Sequence, residues 1–306
     1  MKEIILETNG LTKKYKDFTA LDHANIKICR GDIYGLIGRN GAGKTTLMKL
    51  VTGLTEVTEG EYSLFSKTGK DIGSEKRRIG CLIENPAFFP NMSAYSNLKY
   101  FAIQKGITNL EQVDTALELV KLSDVKKKKF KEFSLGMKQR LGIAYALLDN
   151  PDLVILDEPI NGLDPIGISE LRDTFIRLNR EKGITFIISS HILSELYLVA
   201  NRFLFIEKGK ILRELTHSEL DAECIRCAVI RTDDVKHAAA IIEDKLGITE
   251  FKVIDSTEIR IYDDKIPKDK INHSLVTNDC AVSEIFETGI TLEDYFKNLI
   301  GGAQYV

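Results

Sequence analysis

No apolar run in the chain approaches the ~18 residues that a membrane-spanning helix requires. The start Met1-Lys2-Glu3 opens no signal-peptide pattern. The sequence therefore predicts a chain that stays in the cytoplasm, so a membrane role would need a separate polypeptide to supply the span. Basic excess is also missing: 42 Lys and Arg stand against 45 Asp and Glu, a net charge of −3. Nothing in that balance asks for nucleic acid or an anionic membrane surface as a partner. The five cysteines (29, 81, 224, 227, 280) are odd in number and scattered, which argues against a disulfide framework. Cys224-Ile225-Arg226-Cys227 has metal-ligand spacing, but no second pair completes a tetrahedral site. The two read instead as small apolar side chains on a strand. Low-complexity tracts, internal repeats and coiled-coil insertions are absent as well. What remains is enough chain, 306 residues, for one large α/β domain and one small addition.

The most informative stretch is Gly38-Arg39-Asn40-Gly41-Ala42-Gly43-Lys44-Thr45-Thr46. It fits the phosphate-loop pattern G-x-x-x-x-G-K-[ST] in the context that the pattern needs. Ile33-Tyr34-Gly35-Leu36-Ile37 before it reads as a short buried strand. Thr45 to Val51 after it reads as a helix that Gly53 can close. Glycines at 38, 41 and 43 let backbone N–H groups turn inward around an anion, and the helix start adds partial positive charge. Lys44 supplies a point charge for the outer phosphates, and the Thr45 hydroxyl is a Mg²⁺ ligand of such loops.

A second element suits the same chemistry. Leu153-Val154-Ile155-Leu156 is an unbroken apolar run ending in Asp157-Glu158, the form of a central parallel strand buried on both faces. Carboxylates at the C-terminal end of such a strand face the crevice of the phosphate loop. Asp157 can hold Mg²⁺ through water, and Glu158 can polarise an attacking water.

Between the two, Phe133-Ser134-Leu135-Gly136-Met137-Lys138-Gln139-Arg140 opens an apolar-periodic helix through Leu141, Ala144, Leu147 and Leu148, with Ser134 as its N-cap. This resembles the signature motif of ATP-binding-cassette (ABC) ATPases, whose usual form is Leu-Ser-Gly-Gly-Gln. The order of phosphate loop, signature and acidic strand matches that family. Ser134 and Gly136 stand at the family's phosphate contacts, whereas Leu135 and Met137 depart from its glycine and glutamine.

The resemblance implies further site residues. Tyr15 sits where an aromatic ring stacks on adenine. Gly162-Leu163-Asp164 corresponds to the family's inter-subunit loop. The apolar run Ile184 to Ser190 delivers His191 as the switch histidine, while His23, His217, His237 and His273 lack such a context. One landmark is altered: Gly80-Cys81-Leu82-Ile83-Glu84-Asn85-Pro86 has Glu84 where the family usually has Gln. Glu84 keeps an oxygen for Mg²⁺ or the attacking water and adds a negative charge. With Ser-Leu-Gly-Met-Lys, this looks like the ATP-binding subunits that export bacitracin-type and lantibiotic peptides.

The resemblance covers about residues 3–220. It implies an α/β, P-loop NTPase cassette: a mixed sheet core, an antiparallel β flank from segments such as 3–8 and 24–29, and an inserted helical subdomain over about 86–150. Leu98, Phe101, Ala102, Val113, Ala116, Leu117 and Val120 give that insertion its helical period. The cluster Pro86-Ala87-Phe88-Phe89-Pro90-Asn91-Met92 at its entrance reads as the groove for a permease's coupling helix rather than as core. The lysine run 126–129 before the signature loop is a solvated face. The cassette is expected over 1–220 and an accessory α+β domain over 221–306. In the latter, segments 224–231, 250–254, 257–262 and 280–287 read as strands and 233–246, 267–276 and 291–299 as helices. Without the last helix the order is βαββαβ, the split arrangement of ferredoxin-like domains.

The expected protein is thus an ATP-hydrolysing exporter subunit. Its catalytic residues would be Glu158, His191 and Glu84. ATP would be bound by Tyr15, residues 38–46, Ser134 and Gly136, and Mg²⁺ by Thr45, Glu84 and Asp157. A second copy and an integral-membrane permease are its expected partners, the latter holding it at the inner face of the cell membrane. A soluble cassette ATPase acting on ribosomes or DNA would usually carry two cassettes or a long coiled coil. A regulatory module without turnover would not need Glu158 and His191. An exporter cassette for an unrelated substrate stays open.

Overall fold

A computed structural model describes residues 2–84, 86–191, 193–224, 226–262, 266–289 and 292–301. Asn85 in the Glu84 loop and Thr291, where the sequence pattern starts the last helix, lie outside them. Internal contacts divide the chain into Met1–His217 and Ser218–Val306.

The first unit begins β1 (Ile4–Tyr15), β2 (Phe18–Ala24), β3 (Lys27–Cys29), β4 (Ile33–Ile37), α1 (Lys44–Thr52), β5 (Glu59–Leu64) and β6 (Lys67–Thr68). It continues α2 (Ile72–Glu75), β7 (Ile79–Leu82), α3 (Ala94–Gln104), α4 (Glu111–Leu119), α5 (Leu135–Leu147) and β8 (Leu153–Leu156). The remaining elements are α6 (Pro165–Lys182), β9 (Thr185–Ser190), α7 (Leu193–Tyr197), β10 (Arg202–Glu207) and β11 (Lys210–Thr216), before α8 (His217–Glu223) at the division.

Six strands form the central sheet in the order β11-β10-β4-β9-β8-β7. All neighbours are parallel except the β10–β11 pair. Strands β4, β8 and β9 are buried at every residue, as strands covered on both faces must be. That burial explains the apolar runs of β4 and β8, whereas β9 buries Thr185, Ser189 and Ser190 as well. A second, antiparallel sheet runs β2-β1-β5-β6, with β3 also on β1. Segments 3–8 and 24–29, expected as antiparallel strands of the flank, meet in the β1–β3 ladder, where Ile4 faces Cys29. A hydrophobic core that includes Leu6, Leu36, Leu47, Leu50, Ile155 and Leu204 joins these layers. Each such side chain contributes about 1.5–3 kcal/mol by leaving water.

Salt links brace the start of β8. Asp152 accepts from Arg30 Nη1 at 2.6 Å and from Arg78 Nε at 2.7 Å. The Arg78 guanidinium lies 3.7 Å from the Phe65 ring centroid. The hydrogen bonds from Arg78 and Arg30 hold the Asp152 carboxyl below its ordinary range.

Between β7 and β8 the chain is helical. Leu98, Ala102, Val113, Ala116, Leu117 and Val120 are buried there, so the helical period marks its core. Ser93 caps α3 by accepting from Ser96 N, and Ser134 caps α5 by accepting from Met137 N at 3.2 Å. Phe88 packs edge-on against Phe101, Phe130 and Tyr145. Its neighbour Phe89 is 43% exposed beside Tyr100. No residue of the Pro86–Met92 cluster is fully buried: Phe88 is half-buried among rings and Phe89 is exposed. The buried Asn97 amide fixes its shape, accepting from Phe89 N at 2.8 Å and donating to the carbonyls of Phe89 and Met92.

The second unit carries β12 (Arg226–Thr232), α9 (Val235–Asp244), β13 (Phe251–Val253), β14 (Glu258–Ile261), α10 (Lys268–Thr277), β15 (Val282–Gly289) and α11 (Leu292–Gly301). Its antiparallel sheet runs β13-β14-β12-β15, the strand order of a split βαββαβ unit. Ile230, Ile242, Ile259, Ile261, Ile271 and Leu275 form a core of their own. Cys227 is buried on β12, whereas Cys224 falls between α8 and that strand.

Candidate nucleotide site

The glycines of the loop between β4 and α1 are required by its shape. Gly41 and Gly43 have φ of 80° and 110°, in the region that side chains disfavour. A Cβ on Gly38 would lie 2.5 Å from the Ile206 carbonyl oxygen, and one on Gly43 would lie 2.7 Å from that of Ala20. The loop is pinned from behind, since Gly209 N donates to Ala42 O at 2.8 Å and Ala42 N to Arg39 O at 3.1 Å. Lys44 begins α1 and folds back, its buried ammonium donating to the Gly38 carbonyl at 2.6 Å. The result is a closed turn of backbone around a cation, a cradle for an anion at a helix start.

The acidic residues after β8 reach this cradle from the adjoining strands. Thr45 Oγ1 donates to Asp157 Oδ2 at 2.6 Å. Ser189 on β9 donates to Asp157 Oδ1 at 2.6 Å and accepts from Glu158 N at 2.9 Å. Glu158 has φ of 49°, and Gln139 Nε2 of α5 donates to its carbonyl at 3.3 Å. Its side chain stands between two partners. Oε1 is 3.6 Å from Lys44 Nζ, and Oε2 is 2.7 Å from His191 Nδ1. His191, just past β9, leaves half of its side chain in solvent.

Lys44, Thr45, Asp157, Glu158 and His191 are therefore gathered by direct contacts. Glu84 is placed differently. It follows β7 with φ of 65°, and its exposed carboxylate pairs with Lys49 of α1. Tyr15, at the end of β1, is half-exposed with Lys13 Nζ 4.9 Å from its ring centroid. Gly136 sits against the Gly162–Leu163 turn, where an added Cβ would meet Gly162 O and Leu163 Cδ2, each at 3.0 Å. Leu135 lies over Gly162, whose own Cβ would come within 2.5 Å of Leu135 Cδ2.

Sequence reading passed over Ser189, Gln139 and Lys49. Ser189 is one of three hydroxyl residues on β9, so its place gave no separate signal, and neither did a lysine on a helix surface or a glutamine inside a helix.

The residues present fit a magnesium-bound triphosphate. Thr45 Oγ1 and Asp157 Oδ2 are hard oxygen donors 2.6 Å apart. Mg²⁺ favours such a site, completing its shell with waters and substrate phosphates.

A family model described as ABC transporter matches residues 21–161. The chain belongs to the ABC transporter family, as an ATP-binding subunit that hydrolyses ATP in the transport cycle. It is 43% identical over 301 residues to the bacitracin transport ATP-binding protein BcrA of Enterococcus faecalis, covering 98% of this chain and 97% of that one. To the lantibiotic transport ATP-binding protein SrtF of Streptococcus pyogenes it is 45% identical over 210 residues, 69% of this chain and 90% of the other. Among solved structures, the dimeric ATP-binding cassette MJ0796 bound to ADP and Pi superposes with a TM-score of 0.64 at 25% identity, covering 70% of this chain and 99% of that chain. The cassette cbiO1 of Clostridium perfringens gives a TM-score of 0.64 at 29% identity, covering 72% and 92%. Cassettes of this family dimerise and pair with membrane permease subunits. No helix among the described residues is long and apolar enough to cross a membrane.

Proposed function

We propose that this chain powers the export of antimicrobial peptides of the bacitracin and lantibiotic kind, working on the inner face of the membrane through a separate permease. The observation that carries this reading is the span of the similarity to the bacitracin transport protein. It takes in the second unit as well as the cassette, 301 residues in all.

Two copies would sandwich two nucleotides head to tail. In each site the residue 38–46 loop cradles the phosphates and Lys44 turns from the Gly38 carbonyl toward the outer ones. Tyr15 stacks on the base. Thr45 and Asp157 would hold Mg²⁺, which supplies charge neutralisation at the phosphates when bound. Glu158 accepts the proton of the attacking water. His191 steadies that carboxylate from 2.7 Å. Ser134 and Gly136 of the second copy would close over the phosphates, placing a capped helix start against an anion. Binding favours the closed pair and hydrolysis releases it, so the stroke is a shift of population. Glu84 and the loop to Met92 would carry that stroke to the permease, with exposed Phe89, Tyr100 and Ile103 as the docking anchors.

The test is drug susceptibility. A sensitive bacterium expressing this chain with its permease should tolerate more bacitracin or lantibiotic, and Glu158→Gln should remove the protection. Unchanged susceptibility with both subunits in the membrane would refute the substrate assignment.

A further inference from the structure

The start of α5 and the segment that follows β8 are built against each other. The Glu158 carbonyl accepts from Asn161 N at 3.2 Å, and Leu163 N donates to Ile160 O at 3.2 Å, so residues 158–163 fold as two successive turns. Both ends of that segment rest on α5. At its start, Gln139 Nε2 donates to the Glu158 carbonyl at 3.3 Å. At its end, Leu135 covers Gly162, and Gly136 lies close against Gly162 O and Leu163 Cδ2. Leu135 and Gln139 are four residues apart and so project from one face of the helix. Gln139 is only 6% exposed, and a buried amide is costly unless it is hydrogen-bonded.

We propose that Gln139 is a positioning residue for Glu158: its bond to the Glu158 carbonyl ties the angle of that carboxylate to helix α5, whose first turn carries Gly136 behind the Ser134 cap. The proposal rests on the reading of Glu158 as the base of a MgATP site. Glu158 needs such a hold. Its φ of 49° is a conformation that a residue with a side chain keeps only when its surroundings fix it. Two elements do so, one on each side of the residue. Ser189 of β9 accepts from its N–H at 2.9 Å, and Gln139 of α5 donates to its C=O. Strand β9 is buried at every residue, which leaves α5 as the side able to pass a movement to the base. With the backbone held, the carboxylate stands between Lys44 at 3.6 Å and His191 at 2.7 Å. With the Gln139 bond removed, the strained backbone relaxes and that placement spreads.

The experiment is steady-state ATP hydrolysis by the full chain with its permease in membranes, read as kcat and KM across pH. Gln139→Leu fills the space without a donor. It should lower kcat by about three- to tenfold, within the range of one lost hydrogen bond, and leave KM within about twofold. Gln139→Glu keeps the shape, but an ionised carboxylate only accepts, so at about pH 8 its rate should fall at least as far. Toward about pH 6 the introduced carboxyl, whose burial makes it titrate high, regains an O–H to donate, and its rate relative to wild type should climb. In a Glu158→Gln background, both variants should hold MgATP as that parent does. An unchanged kcat in Gln139→Leu, a flat ratio in Gln139→Glu, or a loss of MgATP binding would each overturn the proposal, because Gln139 would then only fill space or support the fold. A wild-type chain that bound no MgATP, or full turnover in Glu158→Gln itself, would remove the underlying reading and this proposal with it.

Discussion

Ser189 ties Asp157 and Glu158 into one unit: its hydroxyl donates to Asp157 Oδ1 at 2.6 Å while accepting from the Glu158 backbone N–H at 2.9 Å. A buried hydroxyl with both roles filled fixes the Asp157 carboxylate and the Glu158 backbone together. Ser189→Ala removes both bonds and strands their partners, which costs about 1–3 kcal/mol. Thermal unfolding should register that loss. ATP hydrolysis should fall further than ATP binding, because the two carboxylates lose their register.

Lys44 is committed to the phosphate cradle, with its ammonium already inside the loop. Lys44→Ala should weaken ATP binding by about 10- to 100-fold, the worth of a charge-assisted contact. Equilibrium binding of labelled ATP measures this, and wild-type affinity in the variant would contradict the cradle.

The Arg30–Asp152–Arg78 link makes a statement about acid stability. The folded-state pKa of Asp152 is depressed by its arginines. Its contribution is therefore present above the unfolded value of about 4 and is lost as pH falls through the folded one. Asp152→Asn should destabilise by about 1 kcal/mol or less at neutral pH, as such exposed networks do. The difference from wild type should shrink below about pH 4. Denaturant titrations at several pH values would show whether it does.

Glu84 should separate hydrolysis from transport. Glu84→Ala ought to leave ATP affinity within a few-fold, lower hydrolysis partly and reduce peptide efflux severely. Glu84→Gln should keep most activity. Paired ATPase and efflux rates, in membranes containing the permease, make the comparison. Equal losses in both rates, with Glu84→Gln as damaging as Glu158→Gln, would make Glu84 the base instead.

Much of this site could be read from residues in a row. Strands β4 and β8 have the bounds that their apolar runs suggest, because burial on both faces leaves no polar residue to blur them. Helix α1 ends where Gly53 takes a left-handed φ of 76°. The flank was harder. The short β5–β6 hairpin exposes much of its length, so its alternation is diluted. Strand β15 is shifted toward the C-terminus, to Val282–Gly289, by its register on β12. Phe88 is half-buried among rings while Phe89 is exposed, a difference of one residue that an apolar cluster does not disclose. Lys49 and Glu84 meet across 35 positions of sequence, and no local pattern encodes such a pair.

The most direct measurement of the central claim uses Glu158→Gln, which keeps the shape of the base and weakens its basicity. With MgATP, the variant should bind nucleotide as the wild type does while turnover falls by about 10²- to 10⁴-fold, the usual contribution of a general base. Retained ATP should hold two copies together, so light scattering should give twice the monomer mass with MgATP and the monomer mass without it. Turnover close to wild type would contradict Glu158 as the base, and nucleotide bound by a persistent monomer, with the permease supplied, would contradict the head-to-tail pair.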